Sequence, residues 1–127
     1  MDRKVINTDA APKAIGPYSQ AIEAGGFIYC SGQIPLDPKT GALVAGDISV
    51  QAKRILDNFE AVLGAAGSTL SRTVKLTVYL TNMGDFEALN KVLAERFTAE
   101  PPARAVVQVS ALPKNAALEM DLIALKK

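Results

Sequence analysis

Residues 73–81, Thr73-Val74-Lys75-Leu76-Thr77-Val78-Tyr79-Leu80-Thr81, alternate strictly between two kinds of side chain. Val74, Leu76, Val78 and Leu80 fall on one parity; Lys75, Thr77, Tyr79 and Thr81 fall on the other. A period of two belongs to a strand, whose successive side chains point to opposite faces of a sheet. One face is built to meet helices and the other is amphipathic. The flanking segments change to helical spacing. Upstream, Asp47 is placed as an N-cap, Ile55, Phe59, Val62, Leu63 and Ala66 make a buried stripe, and Gly67 suits a left-handed cap. Downstream, Asn82 or Asp85 opens a second helix with the stripe Phe86, Leu89, Leu93 and Phe97, and Pro101-Pro102 stops it.

Further out, Val5-Ile6 reads as a short strand and residues 9–18, with Pro12, Gly16 and Pro17, as an irregular connection. Two short runs, 20–24 and 27–31, flank Gly25-Gly26 and predict a β-hairpin. Residues 32–46, with Pro35, Asp37-Pro38 and Thr40-Gly41, predict an exposed loop with a turn. Runs 104–109 and 118–125 are two strands, joined through Pro113 as a loose antiparallel hairpin. The fold class is α+β: a mixed sheet with two helices on one face, in a single domain over 1–127. The other face carries Tyr79 and, depending on strand phase, Val106 and Gln108. It is too apolar for water and too polar for a monomer core, so a closed oligomer is expected to cover it.

Composition narrows the chemistry. Hydrophobic residues are 49% and charged residues 21%, enough apolar surface to offset chain entropy over 127 residues. The formal net charge is +1 and basic residues are scattered, which disfavours nucleic acid as the main partner. The chain has no histidine, which removes Ser-His-Asp and Cys-His catalysis and every histidine metal site. The single cysteine, Cys30, has no partner for a disulfide and no histidine to activate it, and a small core residue is its expected role. No metal or other cofactor is expected. No apolar run nears the roughly 18 residues that span a bilayer. The opening Met-Asp-Arg-Lys-Val lacks the apolar stretch of a secretory signal, so a cytoplasmic location is expected.

Arg104 opens a strand just after a rigid Pro-Pro. Its planar fork of donors suits a carboxylate gripped by two parallel hydrogen bonds; the structural alternative is an ion pair with an Asp or Glu. Glu119 sits in the final strand, between Leu118 and Met120 and on the parity of Asp121. It either belongs to a solvated face or serves as a carboxylate that orients or deprotonates water. Asn90 lies at the edge of the second helix's stripe, where its amide needs a backbone partner or a ligand. Tyr18 is aimed by the turn at Gly16-Pro17, and Gly32 in Ser31-Gly32-Gln33 allows close approach of a ligand or backbone. Neither signal is specific alone, and a plain packing or turn role is the first reading of each.

These segments together resemble the Rid family of reactive-intermediate deaminases, also called the YjgF family. The matching stretches are Ala14-Ile15-Gly16-Pro17-Tyr18-Ser19-Gln20-Ala21, Ser31-Gly32-Gln33-Ile34-Pro35, Asn90, and Pro102-Ala103-Arg104 through Leu112-Pro113-Lys114 to Glu119. The resemblance implies a chorismate-mutase-like fold and a homotrimer with ligand sites in clefts between subunits. It implies hydrolysis of 2-imino acids, produced by pyridoxal-phosphate enzymes, to 2-keto acids and ammonia. On that pattern Arg104 holds the substrate carboxylate, Glu119 positions the attacking water, and Tyr18, Ser31, Gly32 and Asn90 shape the pocket. Many deaminase-type relatives carry cysteine two residues after the arginine; this chain has Val106, so thiol-dependent activity is not expected, while an arginine–glutamate scheme is unaffected. Two other functions are carried forward: a non-catalytic binder of small keto or amino acids, and an endoribonuclease.

Overall fold

The computed structural model describes residues 2–127. Six strands form one sheet: β1 (Arg3–Ile6), β2 (Ala21–Ala24), β3 (Phe27–Gln33), β4 (Thr73–Leu80), β5 (Ala103–Gln108) and β6 (Leu118–Leu125). Two helices, α1 (Ile48–Ala65) and α2 (Phe86–Arg96), pack on one side. The spatial order is β1-β2-β3-β6-β4-β5, antiparallel except for the parallel pair β4–β5. That pair is joined through α2, the kind of crossover a parallel connection requires.

The first strand covers Arg3–Ile6, of which Val5-Ile6 was the expected part. Gly25 and Gly26 turn the β2–β3 hairpin with φ of 60° and 86°, the positive values a two-residue turn of matching twist needs. Asp47 caps α1, its Oδ1 accepting from Val50 N at 3.1 Å, and Gly67 beyond the helix end has φ 75°. Asn82 caps a short 3-10 turn through Gly84 N, and Asp85 follows as the first flanking residue of α2. Ile55, Leu56, Phe59, Val62 and Leu63 of α1 are fully buried against Leu76, Val78 and Leu80 of β4 and Leu118, Met120 and Leu122 of β6. Each such side chain contributes about 1.5–3 kcal/mol by leaving water. A register shift between Thr73 and Lys75 puts Thr73 in the buried row ahead of Val74; its hydroxyl donates to Leu70 O at 2.7 Å.

One expectation fails. The strands β5 and β6 are not a hairpin: β4 lies between them, paired on one side with β5 and on the other with β6. The β6 side chains Leu118, Met120, Leu122 and Ala124 are buried at 0–2%, which suits a strand with neighbours on both edges. The expected 32–46 loop is also shorter than read, because β3 runs on through Gln33. The remainder is tied by a bridge between Leu36 and Leu43.

Among the described residues no helix or strand covers the sheet's other side. Val5 of β1, Phe27 and Tyr29 of β3, and Val107 of β5 are exposed there by 56%, 36%, 46% and 41%, a larger apolar surface than scattered single residues would give.

Candidate active site

Strand register decides which candidates can meet. Arg104 stands opposite Leu76, and Val106 and Gln108 stand opposite Val78 and Leu80. Those three β4 residues are buried under the helices, so Arg104, Val106 and Gln108 project from the helix side. The strand phase left open in the sequence is thereby fixed, with Val107 on the open side. Glu119 stands opposite Tyr79 and Asp121 opposite Thr77, both on the open side of β4. Arg104 and Glu119 therefore lie on opposite faces of the sheet and cannot converge within one chain.

On the helix side, Arg104 Nη1 donates to Asn90 Oδ1 at 2.5 Å, and the guanidinium carbon lies 5.6 Å from the centroid of the Phe86 ring. Asn90 and Phe86 are four residues apart on α2, one above the other on a single face. The ring attracts the cation through its quadrupole, and the amide fixes the plane of the fork. None of the ion pairs among the described residues includes Arg104, so the structural alternative for this arginine does not hold. Asn90 takes neither a backbone partner nor a buried place; it is exposed and serves the arginine. Beneath them an apolar cleft of about 360 Å³ is lined by Leu76, Leu93, Phe97 and Pro102.

On the open side, Tyr18, Ser31, Gly32 and Glu119 line one cleft of about 560 Å³. Ser31 Oγ donates to Ser19 O at 2.6 Å, and its N–H donates to Gln20 O at 3.0 Å, which ties the 14–20 segment to β3. Tyr18 is held over the tight turn at Gly16, where φ is 125°, and its hydroxyl accepts from Ile15 N at 3.4 Å. Glu119 is half-buried. Burial, and then the charge of Asp121, raise its pKa above the usual carboxylate value. Tyr79 donates its hydroxyl to Asp121 Oδ2 at 2.9 Å. That bond first, then burial and the charges of Asp121 and Glu119, raise the phenol's pKa. Cys30 is buried in the core, and burial pushes its thiol up to about 12, so it is no nucleophile at neutral pH.

Residues 8–126 match the family described as Endoribonuclease L-PSP, the Rid/YjgF family. The chain belongs to the Rid family. A RutC family protein of Pyrococcus abyssi is 51% identical over 127 residues, covering 100% of both chains. The mouse 2-iminobutanoate/2-iminopropanoate deaminase is 46% identical over 124 residues, covering 98% of this chain and 92% of that one. A solved Rid-family structure from Yersinia pestis superposes with a TM-score of 0.95 at 47% identity, covering 98% of this chain and 99% of that one. The six-stranded mixed sheet with two helices is the Rid fold.

Several contributors escaped the sequence reading. Phe86 reads as a core position in the α2 stripe, yet its ring face carries Arg104; the two are too far apart in sequence for any spacing rule to pair them. Gln20 is buried and stitches the site's first loop, with Oε1 accepting from Thr8 N at 2.8 Å and Nε2 donating to Pro12 O at 2.8 Å. Lys114 and Asn115 adopt φ of 54° and 60°, turning the 113–115 segment so that Pro113 and Lys114 close the rim of the Glu119 cleft. A Pro followed by Lys-Asn carried only a generic turn signal.

Proposed function

We propose that the protein hydrolyses 2-imino acids to 2-keto acids and ammonia, in a homotrimer whose sites join Arg104 of one subunit to the Glu119 cleft of the next. The observation that carries this reading is Arg104, whose guanidinium is braced by neutral partners and left without a carboxylate. An incoming carboxylate supplies the missing charge. The chain's 46% identity to a named imine deaminase supports the same chemistry. Assembly follows from the two faces: a site that needs both groups needs two copies, and the uncovered apolar side offers the surface on which copies pack.

The reaction asks little of the protein. A protonated imine is electrophilic at C2, so neither a covalent nucleophile nor a histidine is required. Arg104 fixes the carboxylate and hence C2. Glu119 takes a proton from water as the oxygen adds to C2, giving a carbinolamine. It returns that proton to the nitrogen; the freed carboxylate then takes the hydroxyl proton as the C–N bond breaks, so the carbonyl forms and ammonia leaves. A carboxyl whose pKa is raised is closer to the working pH and suited to both halves of this exchange. Tyr18, Ser31, Gly32 and Asn90 shape the cleft around the substrate. The expected location is the cytoplasm, where pyridoxal-phosphate enzymes release such imines; no helix of the described residues is long and apolar enough to cross a membrane.

A coupled assay tests the proposal. An amino acid oxidase or a threonine dehydratase generates the imine, semicarbazide traps it, and the trapping rate is followed with and without the protein. Suppressed trapping by the wild type, absent in Arg104→Ala, is the expected result. No suppression with any of several 2-imino acids, from a folded oligomer, removes the enzyme and leaves a carboxylate-binding module.

A further inference from the structure

We infer that Gly32 is a positioning residue for Glu119: its missing side chain is the space in which the Glu119 carboxylate sits. This rests on the deaminase reading for its catalytic meaning, but its geometry stands apart from that reading.

Between β3 and β6 the register shifts, so that Ser31 and Gly32 together fill the interval between Cys30, opposite Leu122, and Gln33, opposite Met120. Two residues facing one form a bulge, which bends the strand and re-aims what it carries. A Cβ added at Gly32 would lie 2.5 Å from Glu119 Oε2 and 3.1 Å from its carboxyl carbon. Non-bonded carbon and oxygen do not approach so closely. The usual reason for glycine is absent, since Gly32 is not among the glycines with positive φ. Its backbone conformation admits alanine, and only the room above the carboxylate is lost.

The atoms in the way are the far end of a flexible side chain. Glu119 can swing aside without moving the sheet, so a methyl at residue 32 should leave the fold intact and displace the carboxylate. Ser31 beside it is pinned through Ser19 O and Gln20 O, so the bulge itself does not yield. Misplacing a reacting group by about 1 Å costs on the order of a hundredfold in rate. The arginine of the proposed site comes from the neighbouring subunit and keeps its own braces, Asn90 and Phe86, so the loss should fall on kcat and leave KM nearly unchanged.

The experiment compares wild type, Gly32→Ala, Glu119→Gln and the double variant in the trapping assay. Thermal midpoints and oligomer size are measured alongside, and a carbon-13 titration follows the Glu119 carboxyl in wild type and Gly32→Ala. The expected result is a folded Gly32→Ala with kcat lowered about ten- to a hundredfold and KM within about twofold. The Glu119 titration should be altered, and Gly32→Ala should add no further loss in the Glu119→Gln background. Full activity with an unaltered Glu119 titration overturns the inference, as does a loss that multiplies in full with that of Glu119→Gln. Should Gly32→Ala fail to fold, the claim that only the carboxylate moves is wrong; Gly32→Ser, which brings the same Cβ, repeats the check. If the wild type shows no turnover, the deaminase reading fails on its own. The titration then still decides the positioning: a changed Glu119 response upholds it, and an identical one refutes it.

Discussion

The two faces of the sheet hold charge in opposite ways. On the helix side, Arg104 is exposed and its neighbours are neutral: an amide oxygen fixes the fork and an aromatic ring supports it. On the open side, Glu119 is half-buried and shares its surroundings with Asp121, a second carboxylate that itself accepts a bond from Tyr79. The arginine is kept available for an anion, and the glutamate is kept reluctant to ionise. Had the chain joined the two as an ion pair, each would have quenched the other. Separation by the thickness of the sheet leaves the two unpaired with each other within one chain.

The largest expected effect comes from removing one side of this contrast. Arg104→Ala should lower kcat/KM by about a hundred- to ten-thousandfold, the scale of losing a doubly hydrogen-bonded charged anchor, with oligomer size unchanged. On the proposal that each site takes its arginine and glutamate from different copies, mixing that variant with Glu119→Gln by unfolding and refolding together should restore about a quarter of the wild-type sites. Recovery of none would show that both groups serve one chain's site and would break the comparison.

Glu119→Gln should cut turnover by about a hundredfold or more. The same change should stabilise the fold. A carboxyl whose folded pKa is raised is penalised in the folded state when ionised, so wild type gains stability as pH falls through that raised value. The variant should therefore melt higher than wild type at pH 7–8, and the difference should vanish below about pH 4, where the unfolded carboxyl is also protonated. An equal melting temperature at every pH would remove the contrast in how the two faces hold charge.

Asp121→Asn should act more gently. It removes one of the two influences that raise the Glu119 pKa, so the acid limb of the kcat profile should move to lower pH while burial keeps it above the ordinary value. Smallest is Phe86→Leu, which keeps the packing and loses the ring face under Arg104; KM should rise about two- to fivefold with kcat steady. A fall in kcat instead would mean that the ring orders the reacting geometry as well as the grip.

These effects were unevenly legible in the sequence. The alternation of 73–81 and the stripes of α1 and α2 stated the elements because burial on one face leaves a period in the residues themselves. Partner choice among strands leaves no such period, and so 104–109 and 118–125 read as a hairpin although β4 separates them. The apolar parity of Leu118, Met120, Leu122 and Ala124 spoke for a buried strand but not for whose neighbour it was. Arg104 kept its phase hidden because Ala105 and Val107 are as apolar as Val106. The proposed site residues were found through the resemblance and their neighbours through geometry: the bulge at Ser31-Gly32 and the ring of Phe86 depend on contacts across the fold, which no local spacing encodes.

The strand order also bears on how the molecule is made. Strand β6 is threaded between β3 and β4, although it follows both β4 and β5 in the chain. Until residues 118–125 leave the ribosome, a nascent chain can hold only two disconnected ribbons, β1-β2-β3 and β4-β5. The inner edges of both stay unpaired and open to other chains. Closure of the sheet is then a single late insertion between partners distant in sequence, a step of high contact order, during which the newborn chain is most exposed to aggregation.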